Sequence, residues 1–188
     1  MDNVKSTFEF IIELEKLKAV QRRTKPVGLT RYENSAEHSW QVAVLAFALE
    51  ENSNEKIEIG KVLKMLILHD VCEIDADDTF FYDEIGREVA KKKEAKAIER
   101  IFGMLPEPKQ TEFIELWNEF ENGKTAEANF ARAIDRVMPI LQNVRNSRQS
   151  WGEHHITKEM VLEKTKYIAD GSAQVWELIE QEITEAFY

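Results

Sequence analysis

The chain has 188 residues, 43% of them hydrophobic and 32% charged, with a formal net charge of −10. That length buries a core without covalent staples, and that composition is too apolar for disorder. The acidic balance excludes a nonspecific binder of nucleic-acid backbones, which needs clustered cations. A single cysteine, Cys72, excludes an internal disulfide and points to a reducing compartment.

With 7 Gly and 4 Pro there are few breaks, and the apolar residues recur at helical rather than alternating spacing. Phe8, Ile11, Ile12 and Leu17 predict a first helix, followed by a polar loop from about Arg22 to Glu33 that contains Pro26 and Gly28. Asn34 with Glu37 three residues on forms a capping box that opens a second helix. Val42, Leu45 and Leu49 make its inward stripe, and His38 lies on that stripe. A third helix is predicted from Ile57 to Asp70, with Ile59, Val62, Leu63, Leu66 and Ile67 facing the core. The acidic stretch Glu73 to Asp83 reads as a turn or loop at the mouth of a site. A charged helix follows from Asp83 to Phe102, ended by Gly103, Pro106 and Pro108. Two more span Lys109 to Phe120 and Thr125 to Val144, the latter loosened at Pro139 because its missing N–H leaves the carbonyl of Asp135 without a helical partner. The last two start near Thr157 and Ser172. No apolar run reaches the ~18 residues of a membrane span, and Met1 to Ser6 carries no signal-peptide core. A cytoplasmic, membrane-free protein is the expectation.

Histidine is scarce: His38, His69, His154 and His155 are all there are. The first two fall on buried stripes, where an unpaired imidazole is costly. His69 is followed directly by Asp70. Successive helical residues point ~100° apart, so the pair can grip one ion only from its flank, at a helix end. Asp135 sits among Ala133, Ile134, Val137 and Met138, an environment that calls for a cation partner. Two imidazoles and two carboxylates from three helices suit one divalent ion with positions left open, Mn or Co first, with Mg, Fe or Zn also compatible. His154-His155 reads as a surface pair, and Cys72 as an inert thiol.

The order His38, His69-Asp70, Asp135 resembles the HD-domain phosphohydrolases, in which a His, a His-Asp pair and a later Asp hold the metal. More narrowly, Leu17-Lys18-Ala19-Val20-Gln21-Arg22, Arg31-Tyr32-Glu33-Asn34-Ser35-Ala36-Glu37-His38-Ser39 and His69-Asp70-Val71-Cys72-Glu73-Ile74-Asp75-Ala76-Asp77-Asp78 are similar to the 5′-deoxynucleotidase branch. The similarity runs from about Leu17 to Arg145. It implies a catalytic Glu at Glu73, a catalytic or water-orienting Asp at Asp78, and contact between Arg22 and the phosphate end of the substrate. Glu73 follows Asp70 by three residues, so a continuing helix puts both on one face. Arg31 is the other candidate for substrate binding, or else an anchor for Glu33 or Glu37. The chain departs from the branch at Arg23, where a Trp packing on substrate is the better-known pattern.

The resulting expectation is an all-α, compact single HD domain over residues 1–188, with a metal-site core at about 17–145 and C-terminal helices at 157–187 packed on it. The expected activity is a metal-dependent 5′-nucleotidase that removes phosphate from (deoxy)nucleoside 5′-monophosphates by attack of metal-bound water. Two alternatives are an HD phosphohydrolase for another phosphorylated metabolite or a nucleoside triphosphate, and a non-catalytic helical module with a structural metal. Expected partners are a small nucleotide or phosphoester and a second copy of the chain, because four Trp and ten Phe exceed what a small core hides. A nucleic acid polymer is not among them.

Overall fold

The computed structural model describes residues 2–188, and among them it is helical without strands; an isolated antiparallel bridge joins Gln21 to Asn34. In chain order the helices are α1 (Asp2–Glu13), α2 (Ser35–Ala48), α3 (Ile59–Leu68), α4 (Glu73–Ala76), α5 (Glu84–Phe102), α6 (Lys109–Asn122), α7 (Ala126–Arg145), α8 (Gln149–Glu153), α9 (Lys158–Thr165), α10 (Ile168–Gly171) and α11 (Ala173–Ala186). Short 3₁₀ segments cover Leu14–Ala19, Glu50–Asn52 and His69–Cys72.

Local chemistry sets most of these boundaries. The Asn34 side chain accepts from the backbone N–H of Glu37 at 3.0 Å, and the Glu37 carboxylate accepts from the N–H of Asn34 at 2.8 Å. Asp83, Thr125, Thr157 and Ser172 cap α5, α7, α9 and α11 in the same way, each satisfying one of the free N–H groups of a first turn. Gly123, at φ 57°, closes α6 in the left-handed conformation that glycine adopts without penalty. The acidic stretch after Cys72 begins as the single turn α4 and stops at Asp77, whose φ is 62°.

The long helix α7 is the spine. It packs against α2, α3, α6, α10 and α11 and is buried along most of its length, continuing through Pro139 to Arg145. One apolar cluster, including Val42, Leu66, Phe102, Phe130 and Ile134, lies on one side of it. A second, including Ile140, Trp151, Ile168 and Ile183, lies on the other. Side chains of α7 enter both, so the C-terminal helices rest on the same rod that carries Asp135.

One inward assignment changes. Ile67 is 54% exposed, and Met65 and Leu68 are buried in its place, because the α3 stripe through Val62 and Leu66 turns Ile67 outward. On α1, Phe8, Ile11 and Ile12 are exposed and Phe10 makes the buried contact; the chain then tightens to 3₁₀ before Leu17 instead of continuing as α-helix. Trp117 and Trp151 are core residues, whereas Trp40 is 67% exposed. No helix of the described residues is long and apolar enough to cross a membrane.

Candidate metal centre

His38 occupies the first full turn of α2, where the Asn34 carbonyl accepts its N–H at 3.1 Å and where its side chain is wholly buried. His69 and Asp70 fall at the junction where α3 gives way to 3₁₀ turns. The helix end expected for an adjacent pair flanking one ion is therefore present. The His69 carbonyl is held by Trp117, whose indole N–H donates at 3.1 Å, and its Nδ1 meets the Leu66 carbonyl at 2.8 Å. That contact places the proton on Nδ1 and turns the Nε2 lone pair inward. Asp135 approaches from the middle of α7.

These groups converge. One ligand atom each from His38, His69 and Asp135 lies within 4.8 Å of the others. Asp135 Oδ1 is 2.8 Å from His38 Nε2 and 3.4 Å from His69 Nε2. Asp70 completes the ring, with Oδ1 3.1 Å from His69 Nε2 and Oδ2 4.0 Å from His38 Nε2. His69 Nε2 is buried without a hydrogen bond of acceptable geometry. An orphaned imidazole nitrogen facing two carboxylates fits a divalent cation, and nitrogen and oxygen donors suit a borderline ion.

The electrostatics agree with that fit. Burial would raise the Asp135 carboxyl, but its hydrogen bond with His38, the nearby His69 imidazole and the Arg136 charge hold it well below the usual carboxylate range. Burial likewise opposes ionisation of Asp70, yet the His69 and Arg22 charges bring it down to about 2. Burial would lower His69, and its carboxylate neighbours, Asp70 first, carry it well above the usual imidazole value. The site thus attracts positive charge, and a bound ion would take the place of the His69 proton.

Glu33 belongs to the site and went unrecognised in the sequence. It is 1% exposed, with Oε2 3.5 Å from His38 Nδ1 and 3.3 Å from Arg22 Nε, while Gln142 donates to its Oε1 at 2.5 Å. It stands directly before the Asn34 cap, where an apolar residue commonly packs against the fourth helical position. Here a carboxylate meets an imidazole instead. A charged residue at that position was the available signal.

Arg22 is buried and reaches Asp70 Oδ2 at 2.7 Å and Asp78 Oδ1 at 4.0 Å. Glu73 accepts from the Ser35 hydroxyl at 2.5 Å; burial first, then the Asp70 charge, push its carboxyl well up. Asp78 is raised for the same two reasons against the pull of Arg22. Glu73, Asp78, Arg22, His69, Asp70 and Asp135 all line one cavity of about 420 Å³. Arg31 does not line it. Its guanidinium clasps the Glu37 carboxylate, with Nη2 to Oε2 at 2.8 Å, and braces the α2 cap from outside. Of its two candidate roles the structure supplies the anchor. Cys72 is buried, with a thiol pushed well up by burial and the Glu73 charge, and His154 and His155 are exposed.

Known proteins share this fold. A crystal structure of a predicted metal-dependent phosphohydrolase from Magnetospirillum magnetotacticum superposes with a TM-score of 0.94 at 37% identity, covering 100% of this chain and 96% of that one. The 5′-deoxynucleotidase HDDC2 of Xenopus laevis is 32% identical over 110 residues, 58% of this chain and 53% of its own. The human protein of the same name is 28% identical over 139 residues, 73% of this chain and 67% of its own. The chain therefore matches about half of the frog protein's length. The HD domain family model matches residues 14–176, a span that includes His38, His69, Asp70 and Asp135, and the chain belongs to that family.

Proposed function

We propose that the protein is a metal-dependent phosphoric monoester hydrolase that releases phosphate from (deoxy)nucleoside 5′-monophosphates. The observation that carries the reading is the convergence of His38, His69, Asp70 and Asp135 on one point beside a cavity whose wall also holds Glu73 and Asp78. A closed structural site has no need of the last two. The similarity to proteins named 5′-deoxynucleotidases supports the substrate class.

His38, His69, Asp70 and Asp135 would hold a single ion, Mn or Co by preference. When bound, it polarises a phosphoryl oxygen and lowers the pKa of water. Glu73 and Asp78 move protons: one takes a proton from the attacking water and the other gives one to the 5′-oxygen of the leaving nucleoside. Ser35 orients Glu73 through the hydroxyl it donates. Arg22 steadies Asp70 and Asp78 and presents its remaining N–H groups to the phosphate end.

Residues 1–188 act as one HD unit, since α7 carries the metal-site core and the C-terminal helices alike. A net charge of −10 and a cavity of about 420 Å³ favour a small nucleotide over a nucleic acid polymer. A lone buried thiol goes with a cytoplasmic location. Trp40, Val44 and Phe47 are 67%, 51% and 65% exposed on one side of α2, which supports a homodimer; sedimentation as a monomer at micromolar concentration would remove that part of the reading.

The test is phosphate release from a panel of deoxy- and ribonucleoside mono- and triphosphates, using metal-stripped protein resupplied with Mn, Co, Mg or Zn. Metal-dependent release from deoxynucleoside monophosphates, lost in Asp135→Asn, is the expected result. Silence on every monophosphate, with metal bound, overturns it.

A further inference from the structure

Arg136 lines the cavity with hydrogen-bonding capacity left over. It follows Asp135 on α7, and its side chain is only 16% exposed. Its nearest carboxylate contact, Nη2 to Asp135 Oδ2, is a long 3.5 Å, and its Nε is buried with no hydrogen-bond partner. The guanidinium lies 3.7 Å over the ring of Phe81, with the Tyr167 hydroxyl close by. Burying an arginine with unmet donors is costly. A group stacked on an aromatic ring is held in one orientation despite that cost. The orientation faces the cavity that holds the candidate metal ligands.

The charge balance shows what is missing there. A divalent ion is neutralised by Asp70 and Asp135, and Arg22 is already shared among Asp70 at 2.7 Å, Glu33 at 3.3 Å and Asp78 at 4.0 Å. Nothing in that set is left to balance the two charges of a phosphate monoester. Arg87 and Lys164 approach the same Phe81 ring at 5.2 and 5.7 Å, but Arg87 is exposed and Lys164 is paired with Glu84 at 3.0 Å. Arg136 combines a largely buried guanidinium, a fixed orientation on Phe81 and an unpartnered Nε beside the ligand ring.

We infer that Arg136, stacked on Phe81, is the second arm of a phosphate clamp, opposite Arg22, and that it selects dianionic monoesters over singly charged diesters. The inference rests on the phosphohydrolase reading above. Arg136 donates its Nε–H and an Nη–H to non-bridging oxygens, and it accepts no proton and breaks no bond. Phe81 holds the fork in place.

The probe is inorganic phosphate, titrated calorimetrically into Mn-loaded protein, with metal content and melting temperature measured on each variant. Arg136→Gln should weaken phosphate binding about 10- to 100-fold, the loss of one or two charge-assisted hydrogen bonds. Metal content should stay at the parent level. Phe81→Leu, which keeps the guanidinium and removes its platform, should weaken binding several-fold. In turnover, KM for a monoester should rise far more than kcat falls, and the monoester-to-diester preference should shrink. Phosphate affinity within twofold of the parent in a folded, metal-loaded Arg136→Gln overturns the inference. If that variant does not fold, unchanged affinity in Phe81→Leu overturns it equally. The two readings fail separately. Turnover with Arg136-independent phosphate binding sinks the clamp alone, and absent turnover with Arg136-dependent binding sinks the activity alone.

Discussion

Glu73 shows how burial of a candidate catalytic carboxyl bears on stability. Its folded state holds the proton more tightly than the unfolded chain does, whose ordinary value is 4.5. Its contribution to stability is therefore full below pH 4.5 and is lost as the pH rises toward the raised folded value. In metal-free protein, Glu73→Gln removes an ionisable group whose charged form burial opposes. It should raise the melting temperature at pH 8 by a few degrees, at about 2–4 °C per kcal/mol for a chain of this size, with no gain at pH 4. The same variant should lose about 10²-fold or more in turnover. Equal melting temperatures at pH 8 would show that the carboxyl is not strained by burial. Glu33 makes the complementary case. It does not line the cavity, yet it stands behind His38 and beside Arg22. Glu33→Gln should cost about 10- to 100-fold in metal affinity, measured by competition with a chelating dye, while circular dichroism stays helical.

Elements matter here through how closely they approach α7. Gly171 ends α10 with its Cα against that helix, where an added Cβ would come 2.4 Å from the Asn129 carbonyl and 2.8 Å from the Ala133 side chain. Ala133 lies two residues before Asp135 on the same rod. Asn54 ties the chain beyond α2 to this contact, donating to the Ala169 carbonyl at 2.7 Å and accepting from the N–H of Ala173 at 2.8 Å. Gly171→Ala should therefore push α10 off α7 and cost about 1–3 kcal/mol in denaturant unfolding. A neutral result would mean that the two helices separate without penalty. The junction at His69 is the other sensitive element: one extra residue of regular α-helix would rotate Asp70 ~100° away from the ring it closes.

For the whole molecule, the question is whether the ion holds the fold or only the chemistry. Two apolar clusters flank α7, and Leu66, Phe102 and Phe130 are wholly buried at about 1.5–3 kcal/mol each. That exceeds what the fold asks of four ligands. Chelation should abolish phosphate release and leave the far-ultraviolet circular dichroism spectrum intact. The melting temperature should fall only by the linkage term, which grows with metal concentration over Kd. Collapse of the helical signal on chelation would make the site structural.

Helix starts and the order of the ligands were legible in the sequence because both are local. A cap is decided by residues three apart, as at Asn34 and Glu37, and His69-Asp70 needs only a helix end to flank an ion. The short helices α8 and α10 were not legible, since each is about one turn long and is stabilised by the packing around Trp151 and Ile168 rather than by any periodic stripe. Nor were the partners of charge. Arg31 and Arg22 look alike along the chain, yet one clasps a cap and the other lies buried among three carboxylates. Nothing along the chain sets Arg136 apart, and Phe81, 55 residues earlier, comes beneath it only in the fold. Ion pairs and stacking depend on distance in space, and helices brought together by apolar burial set those distances. The sequence by itself determined the long helices and the candidate metal-ligand types; the tertiary packing alone decided which side chains, charged ones above all, stand next to one another.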